Sequence, residues 1–310
     1  MSATIDTIEH EAEIVRLVES QVQVTLPAYF FWKPILDRGL ALLLLVPCLP
    51  IICILVVLVR MTSKGPGIFR QTRVGKNGRT YLMYKIRSMS IDAESGTGAV
   101  WTQKNDPRIT RIGGILRRMH LDEFPQLFNV LKGEMSLIGP RPERPEFVVV
   151  LSRAVPGYMD RLAVLPGISG LAQINLPPDT DLDSVRRKQM LDVRYIDEAS
   201  LWLDLRMMLW TCSRLLGVDS EFAIRALRLD RRVELEDLGG SSSTLENQPA
   251  TPDFVAQQAQ IGSVTTRTRP QNHTKERGDQ SARTSAGNSS PHATPTAACF
   301  MSRTAPRYPK

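Results

Sequence analysis

The sequence predicts an α+β protein, mostly helical, fixed to a membrane by one apolar helix and carrying a soluble domain with a small β-hairpin. Three observations lead there. Residues 39–59, GLALLLLVPCLPIICILVVLV, form an uncharged run of 21 residues, and about 20 apolar residues suffice to span a bilayer. Residues 68–74 and 79–85 flank GKNG, whose Asn77-Gly78 step is a strong hairpin-turn signal. Much of the remainder, to about residue 216, spaces its apolar residues as helices do and is punctuated by Gly and Pro.

With 310 residues and 42% hydrophobic content the chain can build a substantial core. Its net charge of +7 suits a surface that meets phosphates or anionic lipid, without choosing between them. No nucleic-acid partner is expected. The four cysteines, Cys48, Cys53, Cys212 and Cys299, have no metal-ligand spacing and read as reduced thiols. The four histidines, His10, His120, His273 and His292, are too dispersed for a zinc site.

In chain order, residues 1–28 are a polar segment with a short amphipathic helix from about Thr7 to Val22, placing Ile8, Ile14, Val15 and Val18 on one side. Residues 29–60 hold the membrane helix. Pro47 and Pro50 sit within it and should break or kink it. Basic residues flank both ends, Lys33 and Arg38 before, Arg60, Lys64, Arg70 and Arg73 after. A single span cannot keep both basic flanks in the cytoplasm, whereas a re-entrant hairpin can. A proline-kinked span is equally compatible with the residues alone.

The predicted hairpin is edged by Arg70, Arg73, Lys85 and Arg87, and a solvated basic hairpin is its plain reading. Ile109, Ile112, Ile115, Leu116 and Met119 recur at helical spacing. A second helix is predicted from about Asp122 to Leu131, with Asp122 as N-cap, Pro125 in the first turn and Gly133 as stop. Asp122 and Glu123 then lie where free N–H groups and the helix dipole favour anions. Capping explains Asp122. It does not explain Glu123, Arg117 and Arg118 together. Residues 136–147 form a rigid turn with Arg141 and Arg144, 165–175 a Gly-rich loop, and 184–216 a long helical region for the core or the membrane interface. Residues 61–220 are thus the main domain, 221–239 a linker, and 240–310, rich in Ser, Thr, Pro, Gln and Ala, a disordered tail.

Seven blocks, KPILDRGLALLLL, GPGIFRQTRVGKNG, YKIRSM, NDPRITRIGGILRR, LDEFPQLFNVLKGEMSLIGPRP, PGISGLAQIN and SLWLDL, resemble in order those of the bacterial polyprenyl-phosphate sugar-1-phosphate transferases, the monotopic phosphoglycosyl transferases. The likeness covers about residues 30–216. It implies a re-entrant membrane helix and a cytoplasmic catalytic domain at the cytoplasmic membrane. The reaction it implies moves a sugar-1-phosphate from a UDP-sugar to polyprenyl (undecaprenyl) phosphate with release of UMP. That step opens exopolysaccharide, capsule, O-antigen or glycan assembly.

By the same resemblance Asp122 is the nucleophile, forming a phosphosugar-aspartyl intermediate, and Glu123 helps hold Mg²⁺. Arg117 matches a lipid-phosphate position, Lys85, Arg87 and Arg141 match nucleotide or diphosphate positions, and Pro50 matches the proline of the helix break. The chain departs from the family with Leu49 in place of a serine before Pro50, and with Met119-His120-Leu121 where Thr-Ser-Leu is usual. Membrane lipid is a further expected partner, and the oligomeric state is open, a homodimer among the options. The rival reading is a non-catalytic membrane-anchored scaffold for a polysaccharide assembly complex.

Overall fold

The computed structural model describes residues 2–95, 106–179, 181–215, 217–231 and 233. The tail expected at 240–310 lies outside the described residues.

Helix α1, Ser2–Gln21, packs its Ile14 and Val18 into a core cluster with Phe147, Val148, Leu151 and Met159. Burying side chains of that size stabilises by roughly 1.5–3 kcal/mol each, which holds a largely polar helix in place. Glu11 also accepts hydrogen bonds from Thr80 N (3.1 Å) and Thr80 Oγ1 (2.6 Å). The predicted amphipathic helix is therefore present and longer than expected.

Helix α2, Tyr29–Thr62, runs through Pro34, Pro47 and Pro50. It is long and apolar enough to cross a membrane. Helical winding is not interrupted at Pro50, where the sequence predicts a break. Missing donors at Pro47 and Pro50 leave the carbonyls of Leu43 and Val46 unbonded within the helix, and that lowers resistance to bending without ending the helix. Leu42, Leu43, Val46, Ile54 and Val57 are exposed.

The charges at the start of α2 are buried. Lys33 bonds Asp204 and lies 3.4 Å from Asp37. Asp37 accepts from Ser136 Oγ at 2.6 Å, and Asp204 accepts from the hydroxyls of Tyr29 (2.7 Å) and Tyr195 (2.8 Å). Buried charges persist when paired and hydrogen-bonded. Lys33, counted above as a basic flank, is thus neutralised inside the protein.

Strands β1, Ile68–Val74, and β2, Thr80–Ile86, form the expected antiparallel hairpin, with Ile68 opposite Ile86 and Val74 opposite Thr80. Asn77 (φ 56°) and Gly78 (φ 78°) both take the left-handed conformation that this turn needs. Helix α3, Arg111–Arg118, is capped by Thr110, whose side chain accepts from Gly113 N at 2.9 Å. A Cβ at Gly113 would stand 1.9 Å from Ser88 O, so only glycine lets α3 lie against the end of β2.

Helix α4, Gln126–Lys132, ends at Gly133 as expected but begins later than Asp122. Residues Leu121–Glu123 form a 3₁₀ turn, and the cap position of α4 is Pro125. Asp122 is therefore no N-cap. Pro125 cannot donate a helix hydrogen bond, so regular α-winding starts only after it.

Beyond α4, strand β3, Ser136–Ile138, pairs in parallel with β4, Gly167–Ser169. The sequence reading contained no second sheet. Three-residue strands are too short for alternation to register. Helix α5, Pro145–Ala154, lies between the two strands in the chain, and α6, Leu171–Asn175, follows β4. The long helical region resolves into α7, Leu182–Glu198, and α8, Leu201–Leu215, parted at Ala199–Ser200. Helix α8 packs one side on the core. Leu203, Asp204 and Met207 are buried, while Leu201, Trp202, Leu205 and Leu209 are exposed along one stripe. Helix α9, Ser220–Ala226, falls in the stretch assigned as linker, and Ala223 and Leu229 there are buried. The linker assignment missed it because α9 is only two turns long.

The larger core lies between α4, β3, α6, α7 and α8, and Ala41 of α2 joins it. A smaller cluster joins Val59, near the other end of α2, to Ile86 and Leu116. Both ends of the apolar helix therefore pack against the rest of the protein.

Candidate active site

Four chain segments meet around the acidic pair. Lys85 comes from the end of β2, Arg117 from the last turn of α3, Asp122 and Glu123 from the 3₁₀ turn, and Arg141 from the turn after β3. His120 precedes the acidic turn with φ 54°. That conformation is uncommon outside glycine, though histidine adopts it more readily than most residues, and it ends α3 abruptly enough to turn the chain into the pair.

Glu123 is gripped. Its Oε1 accepts from Lys85 Nζ at 2.9 Å and from Arg141 Nη2 at 2.9 Å. Burial alone would raise its pKa, but the two cations and their hydrogen bonds hold the carboxyl well below the usual carboxylate range. Arg141 is raised by the facing Glu123 charge, while burial pushes Lys85 down despite that partner.

Asp122 differs. It is 5% exposed, and among the described residues no side chain donates a hydrogen bond to it. Burial pushes its pKa up. Lys85 opposes this most strongly, and the neighbouring Glu123 charge adds to it. A buried carboxylate with no donor is poorly solvated and correspondingly nucleophilic, and nearby cations keep its anion accessible.

Arg117 Nε donates to Ser88 Oγ at 2.8 Å, which orients the guanidinium beside Asp122. Arg87 is placed elsewhere. Its Nε donates to Pro66 O (2.8 Å), Nη1 to Lys64 O (2.6 Å), and Nη2 to Ser63 O (3.0 Å) and Ser63 Oγ (2.9 Å). At 5% exposure it clamps the loop that leaves α2. These bonds spend its Nε and both terminal nitrogens on that loop. Arg87 follows Lys85 by two residues, but its strand ends at Ile86 and the alternation that would pair the two on one face ends with it.

Arg73 was missed as a site residue. A small concavity beside Glu123 is lined by Arg73, Met83, Lys85, Gln126, Arg141 and Pro142. Arg73 Nη2 donates to Gln71 (2.6 Å), Nη1 to Pro142 O (3.2 Å), and its buried Nε has no partner among the described residues. The hairpin register carries the signal. Arg73 faces Tyr81 across the strands, so period-two alternation puts Arg73 on the same sheet face as Met83 and Lys85. Among the described residues no cluster of three His, Cys, Asp or Glu side chains forms a closed metal cage.

The chain belongs to the bacterial sugar transferase family, whose profile matches residues 28–217. It is 41% identical over 213 residues to a UDP-N-acetylgalactosamine-undecaprenyl-phosphate N-acetylgalactosaminephosphotransferase of Aeromonas hydrophila, covering 68% of this chain and 50% of that protein. It is 52% identical over 134 residues to a putative undecaprenyl-phosphate N-acetylgalactosaminyl 1-phosphate transferase of Bacillus subtilis, covering 43% of this chain and 74% of that protein. A UDP-glucose:undecaprenyl-phosphate glucose-1-phosphate transferase of Xanthomonas campestris is 42% identical over 187 residues, 60% of this chain and 39% of that protein. The chain thus spans about half the length of the Aeromonas protein and less of the Xanthomonas one.

Proposed function

We propose that this chain transfers a sugar-1-phosphate from a UDP-sugar to undecaprenyl phosphate and releases UMP. The observation that carries the reading is the contrast within the acidic pair: Asp122 buried and without a hydrogen-bond donor among the described residues, Glu123 fixed by Lys85 and Arg141. An Asp122 oxygen attacks the phosphorus that bears the sugar, the bond to UMP breaks, and a phosphosugar-aspartyl ester remains. An oxygen of the lipid phosphate then attacks the same phosphorus and restores the carboxylate. Dividing the transfer this way replaces one hard step with two easier ones.

Lys85, Arg141 and Arg73 gather around the concavity beside Glu123 and are assigned to the diphosphate, since arginine's planar fork suits phosphate oxygens. Arg117, on the α3 side of Asp122, is assigned to the lipid phosphate. Mg²⁺ typically takes one or two carboxylates together with substrate phosphates, so the Asp122–Glu123 pair fits it, with Glu123 as the holding residue. When bound, the ion would neutralise charge on the transferring phosphate.

The same reading places α2 as a re-entrant helix and the domain in the cytoplasm. Lys33 and Asp37 near one end bond to Asp204 and Ser136, while Val59 and the Arg87 clamp hold the other end. A crossing helix would carry one end to the far side, away from these partners. Asp204, bonded to Lys33, belongs to α8, whose exposed Trp202 and Leu205 suit contact with the same leaflet.

The test is UMP release from a panel including UDP-glucose and UDP-N-acetylgalactosamine, with undecaprenyl phosphate and Mg²⁺. Release with at least one donor, dependent on the lipid phosphate and lost with EDTA, is expected. No release with any donor would support the scaffold reading.

A further inference from the structure

The turn that brings Arg141 to Glu123 has little means of holding itself. Pro140, Pro142 and Pro145 have no N–H to donate, so its carbonyls must find donors from outside. Three consecutive residues each have one. Arg161 Nη2 donates to Arg141 O at 2.7 Å. Arg73 Nη1 donates to Pro142 O at 3.2 Å, and Val74 N to Glu143 O at 2.9 Å.

Of the two side-chain donors Arg161 is the more deeply placed, at 2% exposure. Its Nε and Nη2 donate to Asp192 Oδ2 at 3.0 and 2.8 Å, and its Nη1 donates to the Tyr158 hydroxyl at 2.9 Å. Apolar residues in place of a buried ion pair are often neutral or stabilising. Stability alone therefore accounts poorly for this pair, whereas a rigid donor aimed at one carbonyl accounts for it.

We propose that Arg161, held by Asp192 and Tyr158, is a positioning residue for sugar-phosphate transfer. It fixes the main chain at Arg141 and thereby the guanidinium that grips Glu123. The role rests on the reaction proposed above. The other end of the turn is anchored independently, by Lys188 on Glu143 at 2.8 Å, so loosening Arg161 should shift Arg141 without unfolding the turn.

Arg161→Lys retains the charge beside Asp192 but cannot hold Asp192, Tyr158 and the Arg141 carbonyl together. Its kcat should fall by about 10- to 100-fold, the loss expected from a displacement near 1 Å. KM for the UDP-sugar should stay within about threefold, because ground-state binding is retained. In an Arg141→Ala background the same substitution should cost less than about twofold, since its effect runs through Arg141. Wild-type kcat in Arg161→Lys, or an equal loss in both backgrounds, would overturn the proposal. Should Arg161→Lys fail to fold, Tyr158→Phe, which removes one acceptor of Arg161, goes through the same cycle under the same criteria. A wild-type chain with no turnover would count against the reaction itself, and would remove this role with it.

Discussion

Asp122 and Glu123 are neighbours in the chain whose pKa values are driven in opposite directions, Asp122 raised by burial and Glu123 held down by Lys85 and Arg141. In the proposed reaction the two carboxylates of one turn take separate roles, Asp122 as the nucleophile at phosphorus and Glu123 as a permanent anion.

The acid limb of the pH–rate profile should follow Asp122. The proposed reaction uses the Asp122 carboxylate, whose pKa is raised, so kcat/KM should fall with decreasing pH at a midpoint above the ordinary aspartate value of about 4. Glu123→Gln removes a charge that raises Asp122 and should shift the limb to lower pH. Lys85→Met removes the strongest opposing charge and should shift it higher. pH profiles of the three proteins check both signs.

The same shifts set stability. A carboxyl whose folded pKa is raised contributes stability below its unfolded pKa, and that contribution is lost as pH rises through the folded value. At neutral pH the ionised Asp122 is therefore a liability, and Asp122→Asn should melt at a higher temperature than wild type. Glu123 is the reverse case. Its contribution should be present above about pH 4 and be lost only in stronger acid. Thermal melts of Asp122→Asn and Glu123→Gln across pH 3–8 test this, and a lower melting temperature for Asp122→Asn at pH 7 would contradict it.

Arg87→Met should act on folding. Removing the guanidinium strands the carbonyls of Ser63, Lys64 and Pro66, at about 1–3 kcal/mol for a buried group left unsatisfied. KM for the UDP-sugar in the folded fraction should not change. A large KM increase with unchanged stability would return Arg87 to the nucleotide site.

Much of this architecture is legible in the sequence because its signals are local. The α2 run, the Asn77-Gly78 turn and the stop at Gly133 each depend on a few adjacent residues. The start of α4 was misplaced because a proline at position 125 fits either a first turn or the position before it. Arg87 shows the other limit. Basic residues two apart on a strand look equivalent, and only the end of pairing at Ile86 separates Lys85 in the site from Arg87 on the loop. The Arg161–Asp192 pair joins residues 31 apart in sequence, and no local pattern announces it.

Arg117→Ala should impair transfer to the lipid more than formation of the ester. Exchange of labelled UMP into UDP-sugar needs no lipid and should persist in this variant while overall transfer falls. Loss of both together would move Arg117 to the nucleotide side.

Topology can be read by labelling. Single cysteines at positions 2 and 63, in a background freed of native cysteines, should both react with an impermeant thiol reagent only from the cytoplasmic side. Periplasmic labelling at position 2 would make α2 a kinked span.

The central claim is that Asp122 carries the phosphosugar. UDP-sugar labelled in the phosphate next to the sugar, mixed with the protein and Mg²⁺ without undecaprenyl phosphate and then quenched, should leave label on the peptide containing Asp122. Adding undecaprenyl phosphate before the quench should discharge it, and Asp122→Asn should acquire none. Label on another residue, label retained by Asp122→Asn, or full turnover in that variant would contradict the assignment.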